Sequence, residues 1–417
     1  MILNLAALAC FIAAIVHTFL VKRLSHWALR YREGSVAENV LHLLAEVEIV
    51  FGLWAGVYLL ILSGLTHWTL ALQYFESLRF TEPVFVFVIM VISASKPITQ
   101  AAQRYLVAFS RLLPLSRGQA FFCTVLILGP LLGSFITEPA AMTVTALVLL
   151  HGLYNQKVSQ RLMYATLGLL FVNISIGGTL TPYAAPPVLM VAHTWNWDLN
   201  FMLTHFGWKA ALAILISTSS LAFFFKKELG QLSLPNTPHT AIPFWVTGIH
   251  FMFLILVVMS AHHTALCLAL FMVFLGVVTA TQEYQNALRL REGLLVAFFL
   301  GGLVVLGGQQ RWWLEPLLAP LNTLTLYLGS IGLTAFTDNA ALTYLGSQIP
   351  SLSEASRYAL VAGSVVGGGL TVVANAPNPV GFGLLKEAFG DEGISPLRLF
   401  LAALYPTLIA AFCFWIL

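Results

Sequence analysis

Apolar runs of spanning length recur along the chain at about 3–21, 40–63, 83–100, 160–178, 205–225, 241–260, 263–281, 292–308, 357–374 and 398–416. Each approaches the roughly 20 residues a helix needs to cross a bilayer. Two further apolar regions, 119–152 and 321–349, are interrupted near their middles by polar, Gly- or Pro-bearing sequence. Each is too short for two spans and too polar at its centre for one. Both therefore predict re-entrant helical hairpins, because non-helical backbone at membrane depth survives only when protein or a wet cavity covers it.

The order of these elements repeats. A division near 235, within QLSLPNTPHT, gives residues 1–235 and 236–417, each with three spans, a hairpin and two more spans. Five spans is an odd number, so the second half is predicted to lie upside down relative to the first, as in an inverted-topology repeat. The fold class is an all-α polytopic membrane protein with broken helices at the midplane.

Composition agrees. The 417 residues are 59% hydrophobic and only 9% charged, too little charge for a soluble globular domain of this length. Cys10, Cys123, Cys267 and Cys413 lie in apolar runs and read as small buried hydrophobes. The first run lacks a basic leader and reads as a retained span. Basic residues divide unevenly between the two sets of alternate loops, 15 against 4. The majority side is predicted to be cytoplasmic, which puts both termini outside.

The candidate chemistry sits at the interruptions. GSFITEPAAMT (133–143) pairs with GLTAFTDNAALT (332–343) through Thr-acid-x-Ala-Ala-x-Thr, 200 positions apart. Downstream, GGTLTPYAAPPV (177–188) pairs with GGGLTVVANAPNPV (367–380). Pro182, Pro186 and Pro187 in one copy, and Pro377 and Pro379 in the other, remove amide donors and interrupt the spans. Matching interruptions in two halves point to a transporter's binding site. Unwound carbonyls, Thr137, Thr337, Thr181, Asn339, Asn375, Asn378 and the carboxylates Glu138 and Asp338 offer oxygen ligands for a desolvated Na⁺ or for protons. An acid at mid-membrane costs about 3 kcal/mol on the insertion scale, which argues for a use. The competing reading is that these Thr and acid residues cap the second helix of each hairpin.

Other charged residues interrupt the spans. His42 and Glu46 are four apart and would share a helix face, with Glu48 nearly opposite; the three suggest a proton route or gate, or a His–Glu pair with one interhelical bond. Lys96, in SASKP, is either a counter-ion for Glu138 or Glu46 or a snorkelling side chain. Gln309, Gln310 and Arg311 before Trp312 and Trp313 mark an outer boundary. His262 and His263 read as solvated residues of an outer turn.

With the hairpin turns TEPAAMT and TDNAALT, the interruptions TPYAAPPV and ANAPNPVG, and HLLAEVEIVFGLWAG in view, the chain resembles the ion transporter superfamily of arsenite, dicarboxylate and sodium/proton carriers. Within it the likeness is to the bacterial putative sodium/proton antiporter family, over nearly the whole chain. The resemblance implies a scaffold region, mobile hairpin-bearing regions, a homodimer and a bacterial inner-membrane location. Dicarboxylate carriers of this group use Ser-Asn-Thr turns, whereas these read Thr-Glu-Pro and Thr-Asp-Asn, a pairing of acids that repels an anion.

The expected function is Na⁺/H⁺, or more broadly monovalent cation/proton, antiport, with no cofactor. Glu138 and Asp338 would be alternately protonated or cation-loaded. The alternative is a proton- or sodium-coupled carrier of a small anion held by half-helix N-termini. An intramembrane enzyme using His42, Glu46 or His262 and His263 would leave the duplicated plan unexplained.

Overall fold

The computed structural model describes residues 2–232, 241–390 and 393–416, and the described residues form helices without strands. The division near 235 lies outside them.

The chain starts with α1 (Ile2–Ala28), the short α2 (Val36–Leu44), α3 (Val47–Leu65) and α4 (Trp68–Ser77). The apolar run at 40–63 is therefore two helices. Ser35 caps α2 by accepting from Glu38 N–H, α2 stops at Ala45, and α3 restarts with Glu46 as its N-cap. Next come α5 (Thr81–Ser93) and α6 (Lys96–Ser110), which meet at 64°. Pro97 explains the bend: its ring clashes with the carbonyl four residues back and it has no N–H to give. The run at 83–100 is thus bent in its middle and continues well past 100.

Then α7 (Arg117–Ile136) and α8 (Glu138–Leu149) turn back on one another at Thr137. Gly129 faces Thr145 and Gly133 faces Ala141, contacts only an antiparallel pair can make. The interrupted pair α9 (Gln160–Gly177) and α10 (Pro186–Trp195) follows, with Pro186 and Pro187 at the first positions of α10, where a missing N–H costs nothing. A short α11 (Leu199–Met202) runs through a π turn into α12 (Trp208–Phe224), and the single turn α13 (Lys226–Leu229) follows.

Beyond residue 241 lie α14 (Phe244–Met259), α15 (Thr264–Ala280), α16 (Leu290–Gly307) and α17 (Arg311–Leu318). They precede α18 (Thr323–Thr334), α19 (Asn339–Ser347), α20 (Glu354–Gly367), α21 (Asn378–Leu385) and α22 (Pro396–Ile416).

Among the described residues, seven helices are long and apolar enough to cross a membrane, or eight if the bent α5–α6 pair is one span. That is fewer than the ten runs suggest. Helices α14 and α15 have 16 and 17 residues, and α20 ends after 14 where its run is interrupted. Helix α7, by contrast, reaches spanning length although it belongs to a hairpin.

One apolar core joins α1, α3, α5, α14, α15 and α16, and residues of α6, α8, α10 and α19 pack into it. Two others surround α9, which is almost wholly buried. Helix α10 packs on α19, and α21 packs on α8, so each interrupted span touches a hairpin limb from the far end of the chain.

Candidate functional site

The α7–α8 turn, the α18–α19 junction and the two interruptions meet among buried residues. Glu138, the first residue of α8, is completely buried. Its Oε2 accepts a hydrogen bond from Asn375 Nδ2 at 2.9 Å, across 237 residues of sequence. Its Oε1 has no partner. The carboxyl lies against Gly178, where an added Cβ would stand 2.5 Å from Oε1 and 2.6 Å from Cγ. Gly178 is therefore what lets the acid fit beside the interruption.

Thr137 holds the turn with φ 76° and ψ 150°, a region that L side chains rarely occupy and that stores about 1–3 kcal/mol. Its hydroxyl meets Ser93 Oγ at 3.2 Å, tying the turn to the end of α5. Thr181 donates to Ser134 O at 2.7 Å. Ser134 in turn donates to Gly177 O and accepts from Leu180 N–H, so the interruption is laced to α7.

The second turn is built differently. Asp338 is the N-cap of α19, and its Oδ1 accepts from the N–H groups of Ala340 (2.8 Å) and Ala341 (3.1 Å). For this acid the capping reading holds in the structure. Asn339 is fully buried; its N–H donates to Ala374 O at 3.1 Å, and neither Oδ1 nor Nδ2 of its side chain has a partner. Thr337 turns back on Leu333 O. Asn378 donates to Gly368 O and Thr371 O, which holds the second interruption open in its irregular path. Four buried side-chain oxygens without partners, Glu138 Oε1, Asn339 Oδ1, Asn375 Oδ1 and Asn378 Oδ1, lie in these segments.

Compared contact by contact, the two turn-and-interruption units match with an offset of 201 between hairpins, one more than the motif suggests. Thr181 donates to Ser134 O, and Thr371 donates to Ala335 O. A Cβ on Gly177 would meet Pro130 O at 2.6 Å, and one on Gly367 would meet Ile331 O at 2.6 Å. Glu138 lies against Gly178, and Asn339 lies against Gly368 with Nδ2 2.7 Å from an added Cβ. The N-caps are Thr137 and Asp338. The spatial counterpart of Glu138 is thus Asn339, not Asp338, and the two acids have different surroundings.

Asp338 instead lines a narrow pocket of about 50 Å³ with Glu48, Val296, Phe299, Asn375 and Pro379. A larger cavity of about 430 Å³ lies elsewhere, lined by Glu82, Pro182, Tyr183, His193, Asp198 and His262, among others.

The outlying charges separate. His42 does not share a face with Glu46, because the chain breaks between α2 and α3: His42 pairs with Glu38 at 3.2 Å, and Glu46 pairs with Arg291. Lys96 starts α6 and is half-buried; among the described residues it is an ion-pair partner of neither Glu138 nor Glu46. Sequence reasoning missed Ser93, Ser134 and Gly178. The paired glycines at 177–178 and 367–368 were the signal available for the last; nothing in SASKP singles out Ser93.

Helices throughout the described residues, seven or eight of them fit to span, with interrupted pairs crossing at buried polar side chains, define an integral membrane protein. A family profile described as "Putative Na+/H+ antiporter" matches residues 2–417, and the chain belongs to that family, of cation/proton antiporters. No curated relative matches it.

Proposed function

We propose that the protein exchanges Na⁺, or a related monovalent cation, for H⁺ by alternating access, with Glu138 as the acid that holds either ion in turn. One observation carries this reading: a fully buried carboxylate held by a single amide, Asn375, with its other oxygen free at the crossing of a hairpin turn and an interrupted helix. A buried acid is tolerable when a proton or a cation neutralises it, and poorly tolerated bare. A site that crosses loaded but not empty gives exchange without a separate coupling device.

Asn339, Asn378, Thr181 and the backbone of the interruptions complete the oxygen set, and Asn375 holds the carboxylate through its side-chain N–H. Thr137 and Thr337 hold the turns, and Asp338 contributes from the neighbouring pocket. No ion pair brings Lys or Arg to Glu138 or Asp338 among the described residues, which weighs against an anion as substrate.

The inverted-repeat reading, with halves 1–235 and 236–417, is supported by reciprocal packing. Under the mapping α1 to α14, α3 to α15, α5 to α16, α8 to α19 and α10 to α21, the contact α3–α16 has its mirror in α5–α15. Likewise α1–α16 has its mirror in α5–α14, and α10–α19 in α8–α21. In this reading α1, α3, α5, α14, α15 and α16 are the scaffold and the hairpin-bearing units move against them. The basic-loop side is the cytoplasm of a bacterial inner membrane, both termini are outside, and the working unit is a homodimer.

The test is acid-pulse exchange in everted vesicles across a cation panel between about pH 6 and 9. Cation-dependent proton movement in the wild type and its loss in Glu138→Gln are expected. An active Glu138→Gln, or a wild type that moves no protons with any cation, would refute the proposal.

A further inference from the structure

The exchange reading leaves Glu48 unused, although it faces the same small pocket as Asp338. Glu48 lies in the first turn of α3, where a carboxylate suits the helix dipole, and that alone would explain an isolated acid. Asn375 changes the picture. It lines this pocket, is 1% exposed, and its Oδ1 has no partner. Its Nδ2 is committed to Glu138 Oε2. An ionised carboxylate only accepts, so the amide must turn its N–H toward Glu138 and leave its carbonyl for the pocket.

Three oxygen-bearing side chains from three elements therefore face a space of about 50 Å³, room for one small ion with a water or two. Near the pocket, Glu46, two residues before Glu48, pairs with Arg291 of α16; the Arg291 side chain is 71% exposed. The remaining lining, valines with Phe299, Ala376 and Pro379, is apolar and supplies no competing side-chain donor.

We infer that Glu48, Asp338 and Asn375 form a second cation station, which takes a small monovalent cation on its way between the basic-loop side and Glu138. The inference rests on the exchange reading for its direction of traffic, but the station is a binding site in its own right. Asn375 links the two. With Glu138 ionised, the amide presents its carbonyl to the station. The groups facing this amide are Glu138 on one side and Glu48 and Asp338 on the other, with Glu46 and Arg291 beyond them.

The experiment is equilibrium binding of radiolabelled Na⁺ to the purified full chain at alkaline pH, with folding of each variant checked by its thermal transition. Two ions per chain are expected in the wild type, and one each in Glu48→Gln and Glu138→Gln. Asp338→Asn, which keeps the α19 cap, is expected to weaken one ion at least tenfold. In vesicles, Glu48→Gln is expected to raise the KM for Na⁺ about tenfold on the basic-loop side only. One ion in the wild type, or an unchanged count and affinity in Glu48→Gln, overturns the station. If exchange nevertheless survives in the wild type and fails in Glu138→Gln, only the station is lost. A wild type that binds no Na⁺ and moves no protons with any cation overturns both.

Discussion

Gly178 is the sharpest point at which to perturb the site without touching its chemistry. Its φ is −75°, so alanine meets no backbone objection, and any effect of Gly178→Ala is steric. The new Cβ would stand 2.5 Å from Glu138 Oε1 and 2.6 Å from Cγ. Regaining ordinary contact near 3.5 Å requires the carboxyl to withdraw by about 1 Å. The 2.9 Å bond from Asn375 cannot survive such a shift unless the second interruption moves with it. A lost bond to a charged group corresponds to about 1.5–3 kcal/mol, or roughly a ten- to hundredfold fall in cation-dependent exchange. Overpacking adds an expected 1–3 kcal/mol of destabilisation. Gly383→Ala is the control: it lies on α21, near the second interruption, with nothing within 4 Å of its added Cβ. Exchange in proteoliposomes and thermal unfolding in detergent measure both quantities. Wild-type exchange in Gly178→Ala, or an equal loss in Gly383→Ala, would show that the fit between Gly178 and Glu138 does not govern the site.

Three further outcomes are expected. Asp338→Ala should lower the thermal midpoint relative to Asp338→Asn by the equivalent of about 1 kcal/mol, because asparagine can still cap α19 and alanine cannot; equal midpoints would contradict the capping geometry. Thr137→Gly should stabilise the chain by about 1 kcal/mol in the same measurement, since glycine occupies φ 76° without strain while the single hydroxyl contact to Ser93 is lost. Arg291→Ala should change stability by less than about 1 kcal/mol, because the Arg291 side chain, 71% exposed, meets Glu46 largely in water.

Much of this architecture was legible in the order of apolar runs, because burial in a bilayer leaves a strong and long signal. What the runs concealed were interruptions without a polar signature. Leu44, Ala45 and Glu46 look like helix continuation, and only the observed caps divide α2 from α3. Pro97 was visible, but Lys96 beside it drew attention to charge and not to the bend. At the site, the motif pointed to four segments that meet in the structure, but it paired Glu138 with Asp338. Thr-acid-x-Ala-Ala aligns Glu138 with Asp338 by residue type. Helix starts and glycine contacts align Glu138 with Asn339, one residue on. Sequence similarity rewards identical letters, whereas packing rewards whichever side chain reaches the glycine notch. A one-residue slip at a helix start exchanges those two criteria, and no pattern in the letters reveals it.

The burial of α9 has a consequence for how the protein is made. Gly168 of α9 packs so closely on α22 that an added Cβ would stand 2.7 Å from the Ala402 carbonyl carbon, across more than 200 residues of chain. The α9–α22 contact is also extensive, and α12 with α20 has no contact of similar extent to mirror it. During synthesis α9 and its interruption must therefore wait in lipid or beside a translocon, with polar backbone uncovered, until the last described helix arrives. Assembly of the ion pathway is a late event, and truncations that remove α22 should yield a chain that inserts but is cleared before it matures.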